Sequence, residues 1–213
     1  MGNTIKCYLA FTTMAYRIVA FAVLPLVAVV SVLLFGADFI YMEIILLLAA
    51  EIMMDGLSFG GIAAREVGLP EYVKASGRGQ SVMRKVLVGN LIRQFAESAA
   101  LILASLCIVA VSENGILKPD RGDLIGVDKA QLAAMFLLGY VLMVLGVTVA
   151  RFFEMMWTGM LVATFAEFLF LAGMISVVVA PVLMTAVLIP VAAVVSIAAT
   201  RVLEKRMERS YYD

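Results

Sequence analysis

Histidine is absent from the 213 residues. With it go the Ser-His-Asp and Cys-His nucleophilic systems and every metal site built on imidazole. Cysteine is scarce: Cys7 and Cys107 stand far apart, with no C-x-x-C spacing to grip a metal and no basis for a disulfide framework. Charge is scarce as well, at 15% of residues against about 25% in a soluble domain. Sixteen Lys and Arg balance sixteen Asp and Glu, and no basic tail suited to nucleic acid is left over. What remains is apolar. Hydrophobic residues make up 64% of the chain, in long blocks and not in the alternating rhythm of a half-buried surface. The composition is that of an all-α polytopic membrane protein.

A hydrocarbon layer about 30 Å thick needs about 20 apolar residues per helix. Six stretches qualify: 18–35, 39–58, 88–111, 130–150, 153–179 and 181–200. Pro25 places a mild kink in the first, and Pro181 suits the first turn of the last. The third is the least apolar, because "GNLIRQFAES" makes its first half polar. The first is too long for the apolar region of a signal peptide and lacks a short basic stub before it. The residues ahead of it, about 3–16, read as a short helix in the membrane interface, with Tyr8 and Tyr16 at headgroup depth. No loop is large enough for a soluble domain, so residues 1–213 are expected to form a single transmembrane domain.

An even number of spans puts both termini on one side. All the Lys and Arg except Lys118, Arg121 and Lys129 fall on that side. The positive-inside rule then makes both termini cytoplasmic and the chain a multi-pass protein of the cell membrane.

Two stretches imitate catalytic motifs. "GLSFG", residues 56–60, fits G-x-S-x-G, but that elbow needs a strand-to-helix turn and a histidine base. Small residues that let the chain turn at the membrane surface are the simpler reading. "DGLSFGGIAAR" resembles the aspartate-rich signature of the CDP-alcohol phosphotransferases, with the wrong spacing and without the downstream aspartates that would converge on divalent ions. No catalytic or metal-ligating set is assigned. Four carboxylates at or near membrane depth are of more interest: Glu51, Asp55, Glu97 and Glu167. Glu51 and Asp55, four apart, share a helix face. An ionisable group there is costly and points to a substrate or ion path. The plainer alternative is that these groups neutralise Arg93 or Arg151, or sit among headgroups. The 14 Met residues suit an adaptable apolar surface or ordinary filling of membrane helices.

Between the second and third spans lies "LPEYVKASGRGQSVMRKVLVGNLI". Pro70 and Glu71 suit a helix start, "EYVKAS" gives about a turn and a half, and "SGRGQ" stops it. This is a short basic helix hung on a glycine elbow at the cytoplasmic surface, facing headgroups or a protein partner.

Together these features resemble the membrane (permease) subunits of ABC-2-type ABC transporters. The resemblance is one of topology over nearly the whole chain, and of a loose local pattern in which an aromatic and a serine precede a basic stretch leading into the third helix. It implies that the segment is a coupling helix seated in a groove of a separate ATPase, through Tyr72, Lys74, Ser76, Arg78, Arg84 and Lys85. Arg151 and Glu154 in "ARFFEM" would make a second, smaller contact. It implies a second permease chain, identical or different, a path through the bilayer that Glu51, Asp55, Glu97 and Glu167 could line, and export of a hydrophobic peptide or lipid. The chain contains no G-x-x-x-x-G-K-[ST] phosphate loop, so no cofactor is expected in it. ATP and Mg would belong to the partner. A sizeable outer loop or re-entrant element between spans five and six, seen in larger relatives, is missing. Two rivals remain: a six-helix substrate-binding subunit of a vitamin or metal uptake transporter, docking through small residues such as "AESAALILAS", and a membrane-bound lipid enzyme.

Overall fold

A computed structural model of the chain describes residues 2–10, 12–35, 39–65, 79–113, 129–153 and 156–212; side chains at the outer turns of several helices, 55–65, 109–113 and 206–212 among them, fall outside the description. The described elements are all helical, with no strand among them. In chain order they are α1 (Gly2–Ala10), α2 (Met14–Ile18), a π-helical turn (Val19–Val23), α3 (Leu24–Phe35), α4 (Phe39–Arg65), α5 (Gly79–Glu113), α6 (Lys129–Phe153), α7 (Met156–Val179) and α8 (Pro181–Tyr212).

Among the described residues, five rods are long and apolar enough to cross a membrane: Met14–Phe35, Arg84–Ile108, Ala130–Arg151, Thr158–Val179 and Pro181–Lys205. The chain is therefore a multi-pass membrane protein. The remaining expected span, 39–58, falls on α4, whose 27 residues have described side chains only over 40–54. The surface helix expected around Pro70 lies outside the described residues.

The amino-terminal region departs from expectation. Its helix ends at Ala10, and a new one starts after Thr13, whose hydroxyl accepts from the Tyr16 amide at 3.2 Å. This is a Thr N-cap, which satisfies an amide that helix geometry leaves orphaned. Arg17 then reaches back and donates to the Leu9 and Thr12 carbonyls, the latter at 3.1 Å. Its positive charge sits at the carbonyl end of α1, where the helix dipole favours it. Tyr16 thus belongs to the membrane rod, and both tyrosines pack inside the chain: Tyr8 is 2% and Tyr16 3% exposed.

The rod from Met14 carries a π-helical turn that ends two residues before Pro25, a residue that cannot donate to the carbonyl four back. At the other end of the bundle α7 passes into α8 through Ala180 alone. Its amide donates to Ser176 O at 3.0 Å, and its carbonyl accepts from Met184 N at 2.9 Å. Pro181 opens α8 as expected, and α8 runs on to Tyr212. Residues 56–60 lie inside α4, so "GLSFG" is neither an elbow nor the turn expected there.

Contacts between helices fix an up-and-down order. Glu51 meets Arg93 and Glu43 meets Ser105, so α4 and α5 are antiparallel. Ala130 meets Thr185 and Tyr140 meets Ser196, so α6 and α8 are parallel. In this register Arg84, Lys85, Arg151 and Lys205 share one end of the bundle, hereafter the basic end. The main core joins Leu48, Ile52, Met135, Val144 and Phe170 from α4, α6 and α7. Two glycines beside the polar cluster permit close approaches. A Cβ on Gly89 would lie 2.8 Å from Tyr8 Cβ and 3.2 Å from Thr4 O, which lets α1 lie directly on α5. One on Gly146 would lie 2.9 Å from Ile52 Cγ1, which sets the α4–α6 spacing.

Candidate functional site

The polar first half of α5 explains itself once α4 and α1 are in place. Asn90, Arg93, Gln94 and Glu97 recur at helical spacing and turn inward, toward Glu51 of α4. Arg93 grips Glu51 with both arms: Nη1 donates to Glu51 Oε1 at 2.8 Å and Nη2 to Glu51 Oε2. The same Nη1 also donates to Glu97 Oε2 at 2.5 Å, one turn along α5. Gln94 Nε2 adds a third donor to the Glu51 carboxylate, at 3.1 Å. Asn90 Oδ1 accepts from Arg93 Nη2 at the longer distance of 3.5 Å.

Two tyrosines complete the enclosure. Tyr8 from α1 and Tyr16 from α2 share a hydroxyl–hydroxyl hydrogen bond of 2.8 Å. The Arg93 guanidinium carbon lies 5.9 Å and 5.5 Å from their ring centroids, within reach of the cation–π attraction of the ring faces. Four segments therefore converge on one buried cation. A bidentate guanidinium–carboxylate pair is the strongest and most directional of the charge-assisted hydrogen bonds. Lipid and buried helix surfaces supply no water to replace it, so these partners must hold each other. The set is incompletely matched. Arg93 Nε, Gln94 Oε1 and Glu97 Oε1 are buried without a hydrogen-bond partner among the described residues.

A second buried carboxylate, which the sequence reading passed over, lies farther along the same two helices. Glu43, 1% exposed, accepts from Ser105 Oγ at 2.7 Å, and its Oε1 has no partner among the described residues.

Of the expected path residues, Glu51 and Glu97 come together through Arg93. Glu167 stands apart on α7, half-buried and in no ion pair among the described residues. The Asp55 side chain lies outside the described residues. Of the expected ATPase contacts, Arg84 and Lys85 are exposed at the start of α5, and Arg151 is half-buried near the end of α6. Tyr72, Lys74, Ser76, Arg78 and Glu154 lie outside the described residues. Among the described residues no group of three or more acidic or Cys side chains could hold a metal. Compared with known proteins, the chain matches no family model, no curated protein sequence and no solved structure.

Proposed function

We propose that this chain is the permease subunit of an ABC-2-type exporter, with six spans, both termini cytoplasmic, and a coupling segment between spans two and three, carrying Tyr72, Lys74, Ser76, Arg78, Arg84 and Lys85, that docks on a separate ATPase. The observation that carries the reading is the position of the Arg93–Glu51 pair. It staples α4 to α5, the two helices that bracket that segment. A lever must not flex at its base, and a bidentate ion pair buried between two antiparallel helices is a stiff joint. The α1–α2 corner clamps the same joint through Tyr8, Tyr16 and Gly89, so motion of the coupling segment would pass into the bundle as movement of a unit. The cargo expected for so apolar a path is a hydrophobic peptide or lipid.

Docking as an uptake subunit on a scaffold through "AESAALILAS" has less support, because Ser98 and Ser105 of that stretch are buried in the chain's own bundle. The test is a double variant, Tyr72→Ala with Arg84→Glu, reconstituted with the ATPase. It should remain in the membrane and lose cargo-stimulated ATP hydrolysis. Unchanged stimulation would remove the assignment.

A further inference from the structure

Away from the basic end, the seam between α4 and α5 holds a second ionisable group that the transport reading leaves unused. Glu43 is 1% exposed. Eight residues separate it from Glu51 on α4, which at 1.5 Å per residue is about 12 Å along the helix. Apolar layers close it off on both sides. Toward Arg93, Ala28, Leu47 and Leu101 pack together from α3, α4 and α5. On the far side, Val32 and Ile40 are covered by Leu106, Ile108 and Leu132.

The two buried acids of α4 are held in opposite ways. Glu51 accepts from two arms of a guanidinium and from an amide. Glu43 meets a single neutral hydroxyl: Ser105 Oγ lies 2.7 Å from Oε2, and Oε1 has no partner among the described residues. An isolated carboxylate in an apolar interior is far costlier than the neutral acid, and such a group takes up a proton instead. The separation of 2.7 Å is ordinary for O–H···O. Once the acid holds its proton, either oxygen of that pair can donate to the other.

The surroundings offer no counter-charge among the described side chains. On α3 there is no titratable side chain. On α5, Arg93 is already shared between Glu51 and Glu97, while Cys107 is exposed and Glu113 stands two turns beyond Ser105. On α6, the Tyr140 hydroxyl is taken up with Ser196, and the Lys129 side chain lies outside the described residues. Glu167 of α7 and Tyr41 of α4 itself, both half-buried, bring no positive charge.

We propose that Glu43 is a proton-binding site closed inside the bundle, a neutral carboxylic acid that shares one hydrogen bond with Ser105. The site exists only where α4 and α5 meet, since one helix supplies the acid and the other the hydroxyl. The inference does not draw on the transport reading and fails or survives apart from it.

Infrared spectra of the full chain in lipid vesicles at neutral pH test it, because the C=O stretch of a carboxylic acid is resolved from the two stretches of a carboxylate. Glu43→Gln keeps the size and the neutral hydrogen bond. It should remove one acid band and leave the carboxylate bands unchanged. Ser105→Ala retains Glu43 and should move that same band to higher frequency, since the acid loses its hydrogen bond. Loss of carboxylate intensity in Glu43→Gln, with the acid bands unchanged, would overturn the proposal; an ion pair with Lys129 gives that result. An acid region unmoved in Ser105→Ala would overturn it as well, whether or not Glu43→Gln folds.

Discussion

Arg93 is the residue on which the most structure depends. Its removal strands Glu51 and Glu97 as buried charges, and breaking such a pair from one side costs about 3–5 kcal/mol. Arg93→Met should therefore lower unfolding stability in detergent by that order. A triple change, Glu51→Leu with Arg93→Met and Glu97→Leu, removes the stranded charges together and should recover most of the loss. If the cluster serves transport, the triple variant will be stable and inactive. A stable and fully active triple variant would reduce the cluster to scaffolding. The sequence made part of this legible. Glu51 and Glu97 stood out as carboxylates inside apolar blocks, and Arg93 was a named candidate partner. Gln94 and Glu43 did not stand out, because an amide is unremarkable in a polar stretch and an acid near a span's end resembles a headgroup contact. The inward packing of the tyrosines was hidden for a related reason. An aromatic residue at the edge of an apolar run ordinarily marks the interface, and only the fold-back of α1 turns Tyr8 and Tyr16 inward.

At the scale of elements, α1 is a clamp whose hold depends on the absence of a side chain at Gly89. Gly89→Val would press a Cβ into Tyr8 and the Thr4 carbonyl. Overpacking of this kind costs about 1–3 kcal/mol, and the cheapest relief is for α1 to lift away. Hydrogen exchange of residues 2–10 should then quicken while α6, α7 and α8 keep their protection; unchanged exchange in α1 would show that it is held by something else. The break between α1 and α2 was open to reading from Thr12 and Thr13, since Thr is a preferred N-cap. It was obscured by the apolar and aromatic residues on either side, which run on as one amphipathic pattern. The spans α6, α7 and α8 were legible nearly to their ends because length and hydropathy alone define a membrane helix. The reach of α8 to Tyr212 was not, because its last turns are charged and carry no hydropathy signal.

For the whole molecule, the up-and-down order collects Arg84, Lys85, Arg151 and Lys205 at one end, the end that the positive-inside rule assigns to the cytoplasm. A cysteine at Ala75 should accordingly react with an impermeant reagent only when the cytoplasmic face is accessible, and labelling from outside intact cells would invert the orientation. The account as a whole rests on a basic segment at that end engaging a nucleotide-driven partner. The most direct measurement replaces Lys74 with a photo-crosslinking amino acid in the full chain, irradiates native membranes and identifies the adduct by mass spectrometry. The account predicts a soluble ATPase bearing a G-x-x-x-x-G-K-[ST] loop as the protein captured. Adducts to lipid alone, or to a membrane protein without that loop, would contradict it.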